Sequence, residues 1–152
     1  MRFVAGMLLL LVLGLAAQGI YYRQQTSAAL SKALGHLPQD PHAGYAAIKP
    51  VFGYSNFTSL GAARAAREQF FNELRDKAIA GIRNPNPDPA AFSNLLQALI
   101  VLAEAGKTPE FQLQGHSTAV LTAVREAEPQ YRSSGSLAAW DAMIASLGRA
   151  FS

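Results

Sequence analysis

Three histidines, ten carboxylates and an absence of cysteine define the chemistry open to this chain of 152 residues. His36, His42 and His116 form neither His-x-x-x-His nor His-Glu-x-x-His, the spacings that bring imidazoles together around a metal. A metal site would therefore need residues far apart in sequence. No serine lies in Gly-x-Ser-x-Gly, or in Ser-x-x-Lys with its companion motifs, and there is no Walker loop or Gly-x-Gly-x-x-Gly. The lack of cysteine excludes disulfides, thiolate ligands and a cysteine nucleophile. Asp40 and Asp88 precede prolines and read as helix N-caps, and Glu110 falls in the first turn of a helix opened by Thr108 and Pro109. Glu104 adjoins the apolar run "LLQALIVLA" (95–103) and is the carboxylate to inspect as a general acid or base. A salt bridge or a surface position is its simpler reading. His116 aligns with Leu113 and Val120 as a partly buried, satisfied histidine, whereas His36 and His42 flank a proline turn and read as solvated. No catalytic, cofactor-binding or metal-ligating residue is assigned.

Binding chemistry is better represented. In "VFGYSNFTSLG" (51–61) the rings of Phe52, Tyr54 and Phe57 crowd a short loop with glycine and serine. Facing outward they would form an aromatic anchor for a protein partner; folded back they would cover one end of a core. Asn56, Phe57 and Thr58 also match the N-glycosylation pattern, a frequent chance match.

The elements that position these residues start with Phe3–Tyr22, twenty residues without a charge. As a helix they are about 30 Å long, the thickness of a bilayer core. Arg2 precedes them, and Tyr21, Tyr22 and Arg23 supply an aromatic and cationic membrane interface on the other flank. Leu30, Ala33, Leu34 and Leu37 continue at helical spacing, so the span is expected to run on as an amphipathic stalk until Pro38. The rival expectation is an export signal cleaved near Ala16 or Gly19. An apolar helix leading into an amphipathic one resembles type IV pilins. However, the chain lacks their Gly-Phe processing site and early Glu, with no acidic residue before Asp40, so that reading is set aside.

Beyond the stalk, "DPHAGYAAIKP" (40–50), "DPAAFSNLLQALIVLAEAGK" (88–107) and "TPEFQLQGHSTAVLTAVREAEP" (108–129) carry helix-start signals, the last closing at Pro129. Periodicity marks two more helices. Ala63, Ala66, Phe70, Leu74, Ala78 and Ile82 share one stripe, turning Arg64, Arg67 and Arg75 outward. Leu137, Trp140, Ile144, Leu147 and Phe151 share another, with Met143 beside it. The run 95–103 is apolar nearly all round and reads as the central buried helix. "NPNPDP" (84–89) reads as a stiff connection between helices. No stretch alternates with period two.

The expected fold is all-α: a transmembrane anchor and helical extension (1–37), then an extracytoplasmic bundle of about four helices (38–152). Residues 1–83 carry nine basic against four acidic side chains, and 84–152 carry four against six. This excess is too thin for a nucleic-acid footprint. The expected function is that of a single-pass accessory or scaffold protein, held in membrane lipid through residues 3–22 and binding other proteins of a membrane or envelope complex. The alternative is an exported soluble helical protein, either a small hydrolase or a binder of an apolar ligand.

Overall fold

With no breaker before Pro38, the charge-free run and the leucines that follow it propagate one helix, α1 (Arg2–His36). The computed structural model describes residues 2–55, 57–59, 61–107 and 115–151, and side chains between 6 and 148 within those stretches. The chain turns at Pro38, where Asp40 N donates to His36 O at 2.8 Å. The Asp40 carboxylate then accepts from Ala43 N at 2.9 Å and opens α2 (Pro41–Ile48). A 3₁₀ turn, Lys49–Gly53, follows directly. Next come α3 (Ala62–Ile82), α4 (Pro89–Gly106), α5 (His116–Ser134) and α6 (Leu137–Phe151). Asp88 caps α4 as Asp40 caps α2, accepting from Ala91 N at 2.8 Å. Among the described residues there is no strand, so the fold is all-α.

All six residues of the α3 stripe, Ala63 to Ile82, are buried, with Phe71 beside them. α3 packs against α1, α4 and α5; α4 packs against α2, α3, α5 and α6. The interior is thus shared by two helices instead of being centred on residues 95–103 alone. Contacts order the ends. A Cβ at Gly44 would meet Ala33 O at 3.0 Å, Leu37 at 3.3 Å and Phe70 at 3.4 Å. Leu37 and Pro38 share a cleft with Leu74, Lys77 and Gly81, and at the opposite end of the stalk Tyr22 stacks on Tyr54 just ahead of α3. α1 and α3 therefore run in the same direction, and α2 carries the chain back between them.

Three expectations are corrected. Pro129 does not close its helix: α5 contains it and continues to Ser134, ending at Gly135 with φ +74°. An internal proline costs roughly 3 kcal/mol, and Tyr131, two residues on, offsets it. That ring is fully buried, lies 5.3 Å from Trp140, and its hydroxyl donates to Asn84 O at 2.9 Å. The same bond pins the 84–89 connection, as does Ser136 Oγ donating to Asn86 Oδ1 at 2.9 Å. α5 also starts later than expected, after Gly115 at φ +67°; Thr108, Pro109, Glu110 and Leu113 lie outside the described residues. In α6 the buried side holds Met143, Ser146 and Leu147, leaving Leu137 (48%) and Ile144 (40%) exposed. The expected stripe is rotated because Trp140 turns toward Tyr131 and sets the face.

Candidate functional site

The aromatic residues singled out in the sequence gather at the end of the bundle that adjoins the apolar half of α1, in two groups. Tyr21, Tyr22 and Tyr54 form the first: ring centroids are 5.6 Å apart for Tyr21 and Tyr22, and 4.8 Å for Tyr22 and Tyr54, both edge to face. Tyr45, Phe52 and Phe71 form the second, at 5.9 to 6.3 Å. Arg67 joins it, with its guanidinium 6.0 Å from the Phe52 ring centre and its NH1 donating to Phe52 O at 3.4 Å. Arg67 is thus turned over the loop, half-buried, instead of fully outward. Edge-to-face pairs and a cation over a ring each add about 0.5–1.5 kcal/mol to burial. Together they fix the 3₁₀ turn to α2, α3 and the stalk.

The three loop rings therefore part company. Phe52 and Tyr54 fold back and are half-buried, whereas Phe57 is 79% exposed. Phe57 rides on a hydrogen-bonded turn: Ser55 Oγ lies 2.8 Å from Thr58 Oγ1 and accepts from Thr58 N at 3.0 Å. Ser59 donates to Ser55 O through Oγ at 2.8 Å and through N at 3.1 Å. Asn56, the acceptor of the glycosylation pattern, is outside the described residues. Of the interface residues, Tyr21 and Arg23 are exposed and Tyr22 is half-buried against Tyr54. Tyr22 thus joins α1 to the loop that precedes α3. Tyr45, Phe71 and Arg67 were not singled out for this cluster. A helical stripe marks which side of a residue is buried, not which loop ring it will meet.

The titratable groups are dispersed. His116 is 1% exposed, with Arg75 NH1 3.5 Å from its Nδ1 and the Phe71 ring centre at 6.4 Å. A guanidinium can only donate, so Nδ1 is the acceptor and the proton sits on Nε2. Burial, and then the Arg75 charge, push the imidazole pKa below its ordinary value, with Asp76 opposing. Arg75 is thus drawn inward toward His116 while also pairing with Asp76 at 2.7 Å. His42 is exposed and His36 half-buried at the far turn. Glu104 is exposed, and its charge, after burial, helps raise the pKa of Tyr45. Among the described residues no three His, Asp or Glu side chains cluster as metal ligands would.

A shallow cleft of about 240 Å³ opens at the end away from the aromatic groups, lined mainly by apolar side chains including Leu37, Leu74 and Leu95, with Lys77 and Asn94. Drug-sized ligands occupy roughly 300–1,000 Å³, so this cleft offers little enclosure. Among the described residues two helices are long and apolar enough to cross a membrane, α4 and α1 from Gly6 onward. They differ in cover: 39% of the α4 window is buried but only 6% of the α1 window. No protein-family model, curated protein or solved structure matches the chain.

Proposed function

We propose that the protein is a single-pass membrane protein whose helical domain, on the extracytoplasmic side, serves as an accessory or scaffold subunit binding other proteins of a membrane complex. The observation that carries this reading is the continuity of α1. Its apolar half is exposed at every position from 6 to 18, and the same unbroken helix then supplies Thr26 and Ala33 to the interior of the domain, with Leu37 buried in the turn that follows it. An apolar helix exposed on all sides is suited to lipid. A domain built on the continuation of that helix is held at a fixed height and angle, as a subunit that presents one face to its neighbours would be. The extracytoplasmic side is our assignment, made by keeping Arg2 and the amino terminus on the inner side and leaving Arg23 and Lys32 on the outer flank. The dispersal of the titratable groups favours binding over catalysis.

Alkaline carbonate extraction of the full-length protein tests the anchor. It is expected to stay with the membrane, and Leu13→Arg, which costs insertion roughly 3 kcal/mol, is expected to move it to the soluble fraction. Release of the unaltered protein would sink the proposal and favour the exported soluble form. Mild detergent extraction of a tagged copy then tests the scaffold role, with stoichiometric copurifying proteins as the expected result.

A further inference from the structure

We infer that the turn at Ser55–Ser59 is a second membrane contact, with Phe57 dipping into the headgroup–acyl boundary beside α1; this rests on the anchored reading above. Phe57, 79% exposed, is more so than any large apolar side chain of α1 between Met7 and Ile20, where Leu10 reaches 72%. An aromatic ring that stands free on a mobile tail has no fixed address, but this one does. Ser55, Thr58 and Ser59 close the turn with their own hydroxyls, and Ser59 Oγ also accepts from Ala63 N at 3.4 Å, joining it to α3. Tyr54, one residue before the turn, holds Tyr22 at 4.8 Å.

Those contacts set the height of Phe57. A span of residues 3–22 leaves Tyr22 where the hydrocarbon meets the headgroups, a layer about 5–8 Å thick on each side. Tyr54 lies at the level of Tyr22, and Phe57 is three residues further, within ~10 Å of chain. α3 departs from this level toward the far end, so the turn belongs to the end of the domain that faces the bilayer. Arg23 and Lys49 are exposed on the two elements joined there, and basic side chains that flank a span sit at the level of the headgroups. A ring on a rigid turn, beside the point where an anchor leaves the membrane, takes the place of an interfacial aromatic. Lipid, not a partner protein, is its occupant.

The absence of cysteine allows a direct test. Single-cysteine variants Phe57→Cys, Leu13→Cys and His42→Cys of the full chain, all at exposed positions, are labelled with an environment-sensitive fluorophore. They are reconstituted in phosphatidylcholine–phosphatidylglycerol vesicles, without nitroxide lipid or with lipid carrying a nitroxide either near the headgroup or deep in the acyl chain. The expected result is loss of most of the fluorescence at position 57 with the headgroup nitroxide and at position 13 with the deep one, and little loss with either at 42, on the far turn. Quenching at 13 but not at 57 overturns this inference while leaving the anchor intact, and returns Phe57 to a protein contact. No quenching at 13 overturns the anchored reading and this inference with it.

Discussion

Residues 6–18 and residues 22–36 belong to one helix, yet every position of the first stretch is exposed, whereas Thr26 and Ala33 in the second are buried. The first has no charge and no polar side, so it has no face to turn toward the rest of the protein. The second carries Gln24, Gln25 and Lys32 on one side and Leu30, Ala33 and Leu34 on the other, and packs the latter against α2 and α3. Helix propensity is similar in both; what changes is the solvent each is built to meet. Tyr22 marks the crossing point, touching the exposed Tyr21 on one side and Tyr54 of the domain on the other.

The largest expected contrast comes from cutting one leucine in the exposed half of α1 and one in the turn just past its inner end. Leu37→Ala, at a fully packed position, is expected to lower the unfolding free energy of the domain by about 2–5 kcal/mol, measured by denaturant titration in detergent. Leu13→Ala, in the exposed half, is expected to leave that free energy unchanged. Equal effects would mean that the halves are not distinct.

Gly44→Ala comes next. The new methyl would sit 3.0 Å from the backbone oxygen of Ala33, which cannot yield as a side-chain tip can. A loss of about 1–3 kcal/mol is expected from this overpacking, together with weaker amide protection in α1 from Thr26 to His36 and none of note in 8–16.

Tyr131→Phe asks whether the inner half of α1 melts with the distant end of the bundle. The change strips the partner from Asn84 O and is expected to cost about 1–2 kcal/mol. If α1 is a wall of one cooperative domain, exchange at Ala33 and Leu37 should speed up in step with α5, while residues 8–16 stay as they were.

The smallest effect is a pH dependence. His116 binds its proton less readily folded than unfolded because of burial and Arg75, so stability is full above the unfolded pKa of about 6.5 and declines as pH falls from there toward the folded value. Melting curves between about pH 7.5 and 5 should show the fall, His116→Gln should flatten it, and the helicity of residues 8–16 should not respond.

Sequence alone made the regular parts of this contrast legible for physical reasons. The α3 stripe recurs at 3.6-residue spacing with small or apolar residues, and each marked position is buried. Asp40 and Asp88, each followed by proline, cap the helices they announce. The failures lie where tertiary contacts overrule local signals. Pro129 is carried through its helix by the anchoring of Tyr131, and the α6 face follows Trp140 instead of counting Ile144. The loop rings carry no periodicity, so nothing local separates Phe52 and Tyr54, which find Phe71 and Tyr22, from Phe57, which finds neither.

Whether α1 is kept whole is the claim on which the membrane reading turns, and the intact mass of the native protein extracted from membranes tests it most directly. A chain that retains Arg2 is predicted. A mature chain beginning at Ala17 or Ile20 would contradict the account, for it would leave the domain with its stalk and without its anchor.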